Sequence, residues 1–167
     1  MQEKTNIVLI GMPGCGKSTV GVLLAKRMRK KFVDTDLFIQ EQEERLLSEI
    51  IEEEGLDRFI QIENEVNASL VTENSVIAPG GSVIYGEEAM AHMKEIARIV
   101  YLKLSYESVA ARLGDLKKRG VVLRAGQDLK ALYEERCPLY EKYADDVVEC
   151  DGLELGETLE KVMERLL

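Results

Sequence analysis

Short apolar runs alternate along the chain with longer stretches in which apolar residues recur every third or fourth position. The runs Asn6–Ile10, Phe32–Asp34, Ser75–Ala78, Arg98–Leu104 and Asp146–Cys150 read as strands. Helical spacing extends over Ser18–Met28, Leu37–Glu54, Arg58–Val71, Glu87–Ile96, Ser105–Leu113, Asp128–Tyr143 and Leu155–Leu167. Gly55 separates the second helix from the third, and Pro138 breaks the sixth. Strands alternating with helices predict an α/β fold with a parallel sheet covered on both faces. Gly114–Gln127 is basic and carries three glycines, at 114, 120 and 126, so a mobile loop is expected there. There is no internal repeat, low-complexity tract or long linker, and 167 residues suit a single domain spanning 1–167.

Composition narrows the partners. Hydrophobic residues make up 46% of the chain, enough for one sizeable core, while 5% are aromatic and none is Trp. Few aromatics argue against a stacking platform for single-stranded nucleic acid. The formal net charge of -9 repels nucleic acid and anionic membranes, although a binding site can still be locally positive. Cys15, Cys137 and Cys150 match no metal or disulfide spacing. The N-terminus MQEKTN is not a signal peptide, and no apolar run is long enough to span a membrane. A soluble cytoplasmic protein is expected.

The chemistry begins at GMPGCGKST, Gly11 to Thr19, between the first strand and the first helix. Gly11-x-x-x-x-Gly16-Lys17-Ser18 is the P-loop pattern. Its backbone N–H groups must turn inward at an anion, and the helix N-terminus adds partial positive charge. Lys17 can reach the terminal phosphates of a nucleoside triphosphate, and the Ser18 hydroxyl can ligate Mg²⁺.

Three further stretches suit an acceptor. DTD, Asp34–Asp36, follows the second strand, and carboxylates at i and i+2 of an extended segment point the same way. One could hold a water on Mg²⁺ and the other could bind acceptor hydroxyls; equally, Asp36 could do no more than cap the next helix. Pro79-Gly80-Gly81 ends the third strand and would let a ligand approach the backbone. Arg136 in RCPLY suits a carboxylate, though a surface ion pair is the commoner fate of an arginine. The basic run Lys117–Arg124 suits a lid whose arginine neutralises charge during phosphoryl transfer.

Together these residues resemble the shikimate kinases, P-loop small-molecule kinases related to the nucleoside monophosphate kinases. The resemblance covers nearly the whole chain through GMPGCGKSTVG, FVDTDLFI, EGLDRFIQIE, PGGSV, IVYLKL and RCPLYEKYAD. It implies a three-layer sandwich with a five-stranded parallel sheet, helices on both faces and a mobile lid at about 114–127. It further implies transfer of the γ-phosphoryl of MgATP to a hydroxyl of shikimate or a related hydroxy compound, in aromatic amino acid biosynthesis, by a monomer. Carried over by position, Gly11, Met12, Pro13, Gly14, Cys15, Gly16, Lys17, Ser18 and Thr19 would bind ATP, with Arg112 flanking the adenine. Ser18 and Asp34 would serve the Mg²⁺ ion. Lys17, Asp36 and Arg119, the lid arginine, would be catalytic. Asp36, Gly80, Gly81 and Arg136 would bind the acceptor.

Three departures touch the acceptor pocket or lid. The family's FRxxE is Phe59-Ile60-Gln61-Ile62-Glu63, so Ile60 replaces a carboxylate-binding arginine. Arg58 lies about 200° from Ile60 around a helix and cannot substitute simply. The family's GGG is Pro79-Gly80-Gly81, and its RPLL is Arg119-Gly120-Val121-Val122 in a shorter loop. Losing one arginine of a buried clamp costs about 2–5 kcal/mol. These changes leave room for a kinase of a different polyol or hydroxy acid, or for a non-catalytic nucleotide-binding regulatory module. Retention of Lys17, Ser18, Asp34 and Asp36 together argues against the latter, and a nucleotide kinase fits DTD and RCPLY less well. His92 is expected to pack or face solvent, and neither Cys15 nor Cys137 is expected to act as a nucleophile.

Overall fold

Five short strands pair side by side in one parallel sheet, in the order β2-β3-β1-β4-β5. They are β1 (Asn6–Ile10), β2 (Lys31–Asp34), β3 (Ser75–Ala78), β4 (Ala97–Lys103) and β5 (Asp146–Glu149). The computed structural model describes residues 3–113 and 123–167. Central strands β1 and β3 are buried at every position. That fits an apolar run without alternation, because helices cover both faces of such a sheet. The β1–β4 register runs from Asn6 opposite Ala97 to Ile10 opposite Tyr101, and β2 ends with Asp34 opposite Ala78 at the end of β3. Loops leaving the carboxyl ends of these strands lie where open α/β sheets carry ligands.

The helices are α1 (Lys17–Met28), α2 (Thr35–Glu43), α3 (Leu47–Glu54), α4 (Leu56–Ala68), α5 (Glu87–Ile96), α6 (Tyr106–Arg112), α7 (Leu129–Tyr143) and α8 (Leu155–Leu166). A 3-10 turn, Val83–Tyr85, follows the glycine turn after β3. Side chains of Ser105 and Asp128 cap α6 and α7 by accepting the N–H groups of Ser108 and Ala131. The main core surrounds the sheet. A second cluster of Ile39, Ile50, Phe59, Ile62 and Val66 joins α2, α3 and α4 into a small helical lobe beside it. Full burial of each such side chain contributes about 1.5–3 kcal/mol.

Two expectations need correction. The helix expected over Leu37–Glu54 is two helices. Glu44 adopts left-handed backbone (φ 53°) and ends α2, and Arg45 then bonds Glu53 across the break. A helix start at Leu46 follows, where Glu49 accepts the Leu46 N–H. Pro138 does not break α7, which runs through it. A proline inside a helix costs about 3 kcal/mol, and here Arg136 and Tyr140, both buried, fix the helix from either side of it.

Candidate active site

The P-loop forms as its glycines require. Gly16, at φ 91°, turns the chain into α1, a conformation that a side chain would strain. Lys17 opens the helix, and its Nζ donates to the carbonyls of Gly11 at 2.7 Å and Met12 at 3.0 Å. The ammonium thus sits across the loop it would serve. Cys15 is buried, with its N–H donating to Met12 O at 3.2 Å. Arg112, at the end of α6, reaches the loop through a 3.3 Å bond from Nη1 to Gly14 O.

A cavity of about 270 Å³ opens between this loop and the helical lobe. Pro13, Gly14, Lys17 and Ser18 line it from one side; Asp34, Asp36, Pro79, Gly80, Gly81 and Arg136 line it from the other. The sequence-derived residues of the phosphate loop and of the acceptor side therefore meet in one space. Arg119 lies outside the described residues. Of the expected lid only residues 123–127 are described, with Arg124 Nη1 3.1 Å from Asp57 Oδ1. A wider depression of about 610 Å³ lies elsewhere, against β5 and α8, and shares no residue with the phosphate loop, DTD, the glycine turn or Arg136.

The two aspartates of DTD have separate duties. Asp34, not Asp36, caps α2: its Oδ1 accepts the Asp36 N–H at 3.0 Å. Asp36 is left to face the cavity, and its buried Oδ1 has no hydrogen-bond partner among the described residues. Burial, reinforced by the charge of Asp34, pushes the Asp36 carboxyl up to about 6, while Lys17 pulls it down.

Glycines 80 and 81 are needed for close approach. A Cβ on Gly80 would lie 2.7 Å from Glu63 Oε2 and 3.1 Å from Asp36 Oδ1. One on Gly81 would lie 3.1 Å from Arg136 Nη1. Arg136 is 2% exposed, not a surface ion pair. Its Nε donates to the Tyr85 hydroxyl at 3.3 Å, and the guanidinium lies 5.5 Å from the Tyr85 ring centroid. The Tyr140 hydroxyl, one turn along α7, donates to Gly81 O at 2.7 Å and ties the glycine turn to the helix.

Sequence reasoning missed Glu63, Phe59 and Ser82, which also line the cavity. Glu63 is 1% exposed, and its Oε1 accepts from the Ser82 hydroxyl at 2.6 Å. The available signal was helical spacing: Phe59, Ile62, Glu63 and Val66 fall on the buried face of α4. Ile60 packs against the second cluster instead of lining the cavity. Arg58 points away, 4.0 Å from Glu65 Oε1 and 42% exposed. His92 is a packing residue whose Nε2 lies 2.6 Å from Leu70 O. Burial raises the Cys137 thiol, consistent with an inert cysteine.

Residues 13–167 match the family model for shikimate kinase. The chain belongs to the shikimate kinase family. It is 38% identical to the shikimate kinase of Thermodesulfovibrio yellowstonii over 162 residues, 95% of this chain and 92% of that one. Identity to the shikimate kinase of Clostridium botulinum (strain Alaska E43 / Type E3) is 32% over 164 residues, 98% and 95% of the two chains. The shikimate kinase of Acinetobacter baumannii, solved in complex with shikimate, superposes with a TM-score of 0.86 at 28% identity, covering 96% of this chain and 92% of that one. That of Aquifex aeolicus superposes with a TM-score of 0.82 at 33% identity, covering 96% and 95%. The five-stranded parallel sheet with its P-loop is therefore this family's fold, and the chain is an ATP-dependent, shikimate kinase-like phosphotransferase with an alcohol group as acceptor. The family uses a divalent metal with ATP. Among the described residues no helix is long and apolar enough to cross a membrane.

Proposed function

We propose that the acceptor is shikimate, phosphorylated on a ring hydroxyl by the γ-phosphoryl of MgATP. The observation that carries this reading is the Asp36 Oδ1 atom, buried without a partner in the cavity between Lys17 and Arg136. A buried acceptor without a donor is costly, and a substrate hydroxyl is the donor that suits it. The bound substrate that names the A. baumannii complex belongs to a protein of the same fold.

In this reading the loop Gly11–Thr19 cradles the phosphates, and Lys17 leaves the carbonyls of Gly11 and Met12 to reach the β- and γ-oxygens. Arg112, beside Gly14, flanks the adenine. Arg136 pairs with the acceptor carboxylate, and Gly80 and Gly81 let the ring lie against the backbone. Asp36 orients the hydroxyl and takes its proton as the oxygen bonds to the γ-phosphorus and the bond to the β-phosphate oxygen breaks. A carboxyl pushed up to about 6 is a competent base near neutrality. Arg119 of the lid neutralises the equatorial oxygens.

The Ser18 hydroxyl and the Asp34 carboxylate line the same cavity as Lys17 and are hard oxygen donors. They fit Mg²⁺, with Ser18 as a direct ligand and Asp34 through water, since this ion keeps waters and takes phosphate oxygens instead of an all-protein cage. When bound it neutralises charge on the phosphate oxygens. A monomer in the cytoplasm, with no nucleic acid or membrane partner, completes the reading.

Incubation with γ-labelled ATP and shikimate, followed by mass spectrometry, tests it. Label in a phosphorylated shikimate supports the proposal, and label only in inorganic phosphate refutes it. The position of Ile60 in the apolar cluster favours a second reading, a related hydroxy compound less dependent on a carboxylate. The same experiment with a panel of hydroxy acids and polyols separates the two.

A further inference from the structure

Glu63 is an acid buried in the wall of the acceptor cavity, and the transfer described above gives it no task. Its position is fixed by the Ser82 hydroxyl on Oε1 and by close approach of Oε2 to Gly80. Arg136 stands beside the next glycine in the chain. An acid and a guanidinium thus flank one glycine pair, on the wall where an anionic acceptor would lie.

We propose that Glu63 is a positioning residue that sets the charge presented beside Arg136. As a neutral acid it puts no opposing charge next to the guanidinium, and an anionic acceptor is held there. As a carboxylate it competes with that acceptor for the same guanidinium. The inference rests on the acceptor reading given above.

Each element packed around Glu63 presents a known group. Asp36 faces it from α2, Arg136 from α7, and the Ser82 hydroxyl from the turn after β3. Lys17 of α1 and Asp34 at the end of β2 line the same cavity. Tyr85 of the 3-10 turn sits on Arg136. From α5, Glu88 bonds Asn64 instead, and α3 contributes Leu47 and Ile50, which are apolar. On α4 itself Ile60, one turn before Glu63, supplies no charge. Burial pushes the Glu63 carboxyl up to about 7; the Ser82 bond pulls it down, the Asp36 charge raises it and Arg136 lowers it. The two charge states therefore exchange within the working range of an enzyme.

The test is the KM for shikimate, a carboxylic acid ionised throughout, at saturating MgATP across about pH 6 to 9. Above about pH 7, where Asp36 is already ionised, KM in the wild type rises toward tenfold per pH unit, as for one ionisation. Glu63→Gln, fixed neutral and still able to bond Ser82, gives a KM that stays flat. Ser82→Ala removes a bond that favours the carboxylate, so the rise moves to higher pH. A purely structural Glu63 would change the level of KM in Glu63→Gln and leave its slope; that slope, or a flat wild-type profile, overturns the proposal. If Glu63→Gln does not fold, the direction of the Ser82→Ala shift decides. Absence of turnover at every pH, with MgATP still bound, overturns the acceptor reading and this proposal with it. Turnover with a flat KM overturns this proposal alone.

Discussion

The Tyr140 hydroxyl donates to the carbonyl of Gly81 at 2.7 Å, and through this bond helix α7 holds the glycine turn that lines the cavity. Tyr140 is buried and Gly81 half-buried, so water replaces the lost donor only in part. Tyr140→Phe removes this part-buried bond and lowers stability by about 0.5–1.5 kcal/mol in urea unfolding. It also raises the acceptor KM, because the freed turn adjoins Arg136.

Gly80→Ala separates the two substrates. Its Cβ falls 2.7 Å from Glu63 Oε2, a contact that forces the carboxylate or the turn to move. The acceptor KM rises by tenfold or more, while the dissociation constant for MgATP, measured by calorimetry, stays within about twofold. The P-loop lies on the other side of the cavity and keeps its own geometry.

Glu63 makes stability depend on pH. Its folded value, about 7, lies above the ordinary 4.5, so the native state holds the proton more tightly than the unfolded chain. The contribution is fully present below about pH 4.5 and is lost as pH rises through about 7. From that shift it amounts to roughly 3 kcal/mol. Glu63→Gln stays neutral, so the unfolding free energies of wild type and variant separate as the pH rises through about 7, the wild type losing stability; parallel curves contradict it.

Much of this site could be read from residue types and spacing. The P-loop lay between a strand and a helix, and strand Ser75–Ala78 and helix Glu87–Ile96 appear with the expected bounds. DTD and Arg136 reach the cavity as expected. What escaped depends on tertiary context. No glycine or proline announces the break after Glu43, because Glu44 itself takes the left-handed turn. Pro138, which should end a helix, stays inside α7, whose buried face carries Arg136 and Tyr140. Spacing puts Glu63 on the buried face of α4, but its surroundings are set by Ser82, Gly80 and Arg136, all distant in sequence.

Ile60→Arg tests what the missing arginine costs. Ile60 is half-buried at the margin of the second cluster, one turn before Glu63, so a long side chain can leave the apolar contact and carry its charge toward the cavity. A second cation near the acceptor carboxylate is worth about 2–5 kcal/mol when desolvated. The shikimate KM then falls by roughly 30-fold or more, and steady-state kinetics of the variant show it. An unchanged KM would mean that the introduced charge does not reach the acceptor.

ADP release in a coupled assay, with MgATP and with or without millimolar shikimate, tests the central claim most directly. Lys17→Ala and Asp36→Ala serve as controls, one on each side of the cavity. Strong stimulation by shikimate, abolished in both variants, is the predicted result. ATP binding without stimulation, or stimulation that survives Asp36→Ala undiminished, would contradict it.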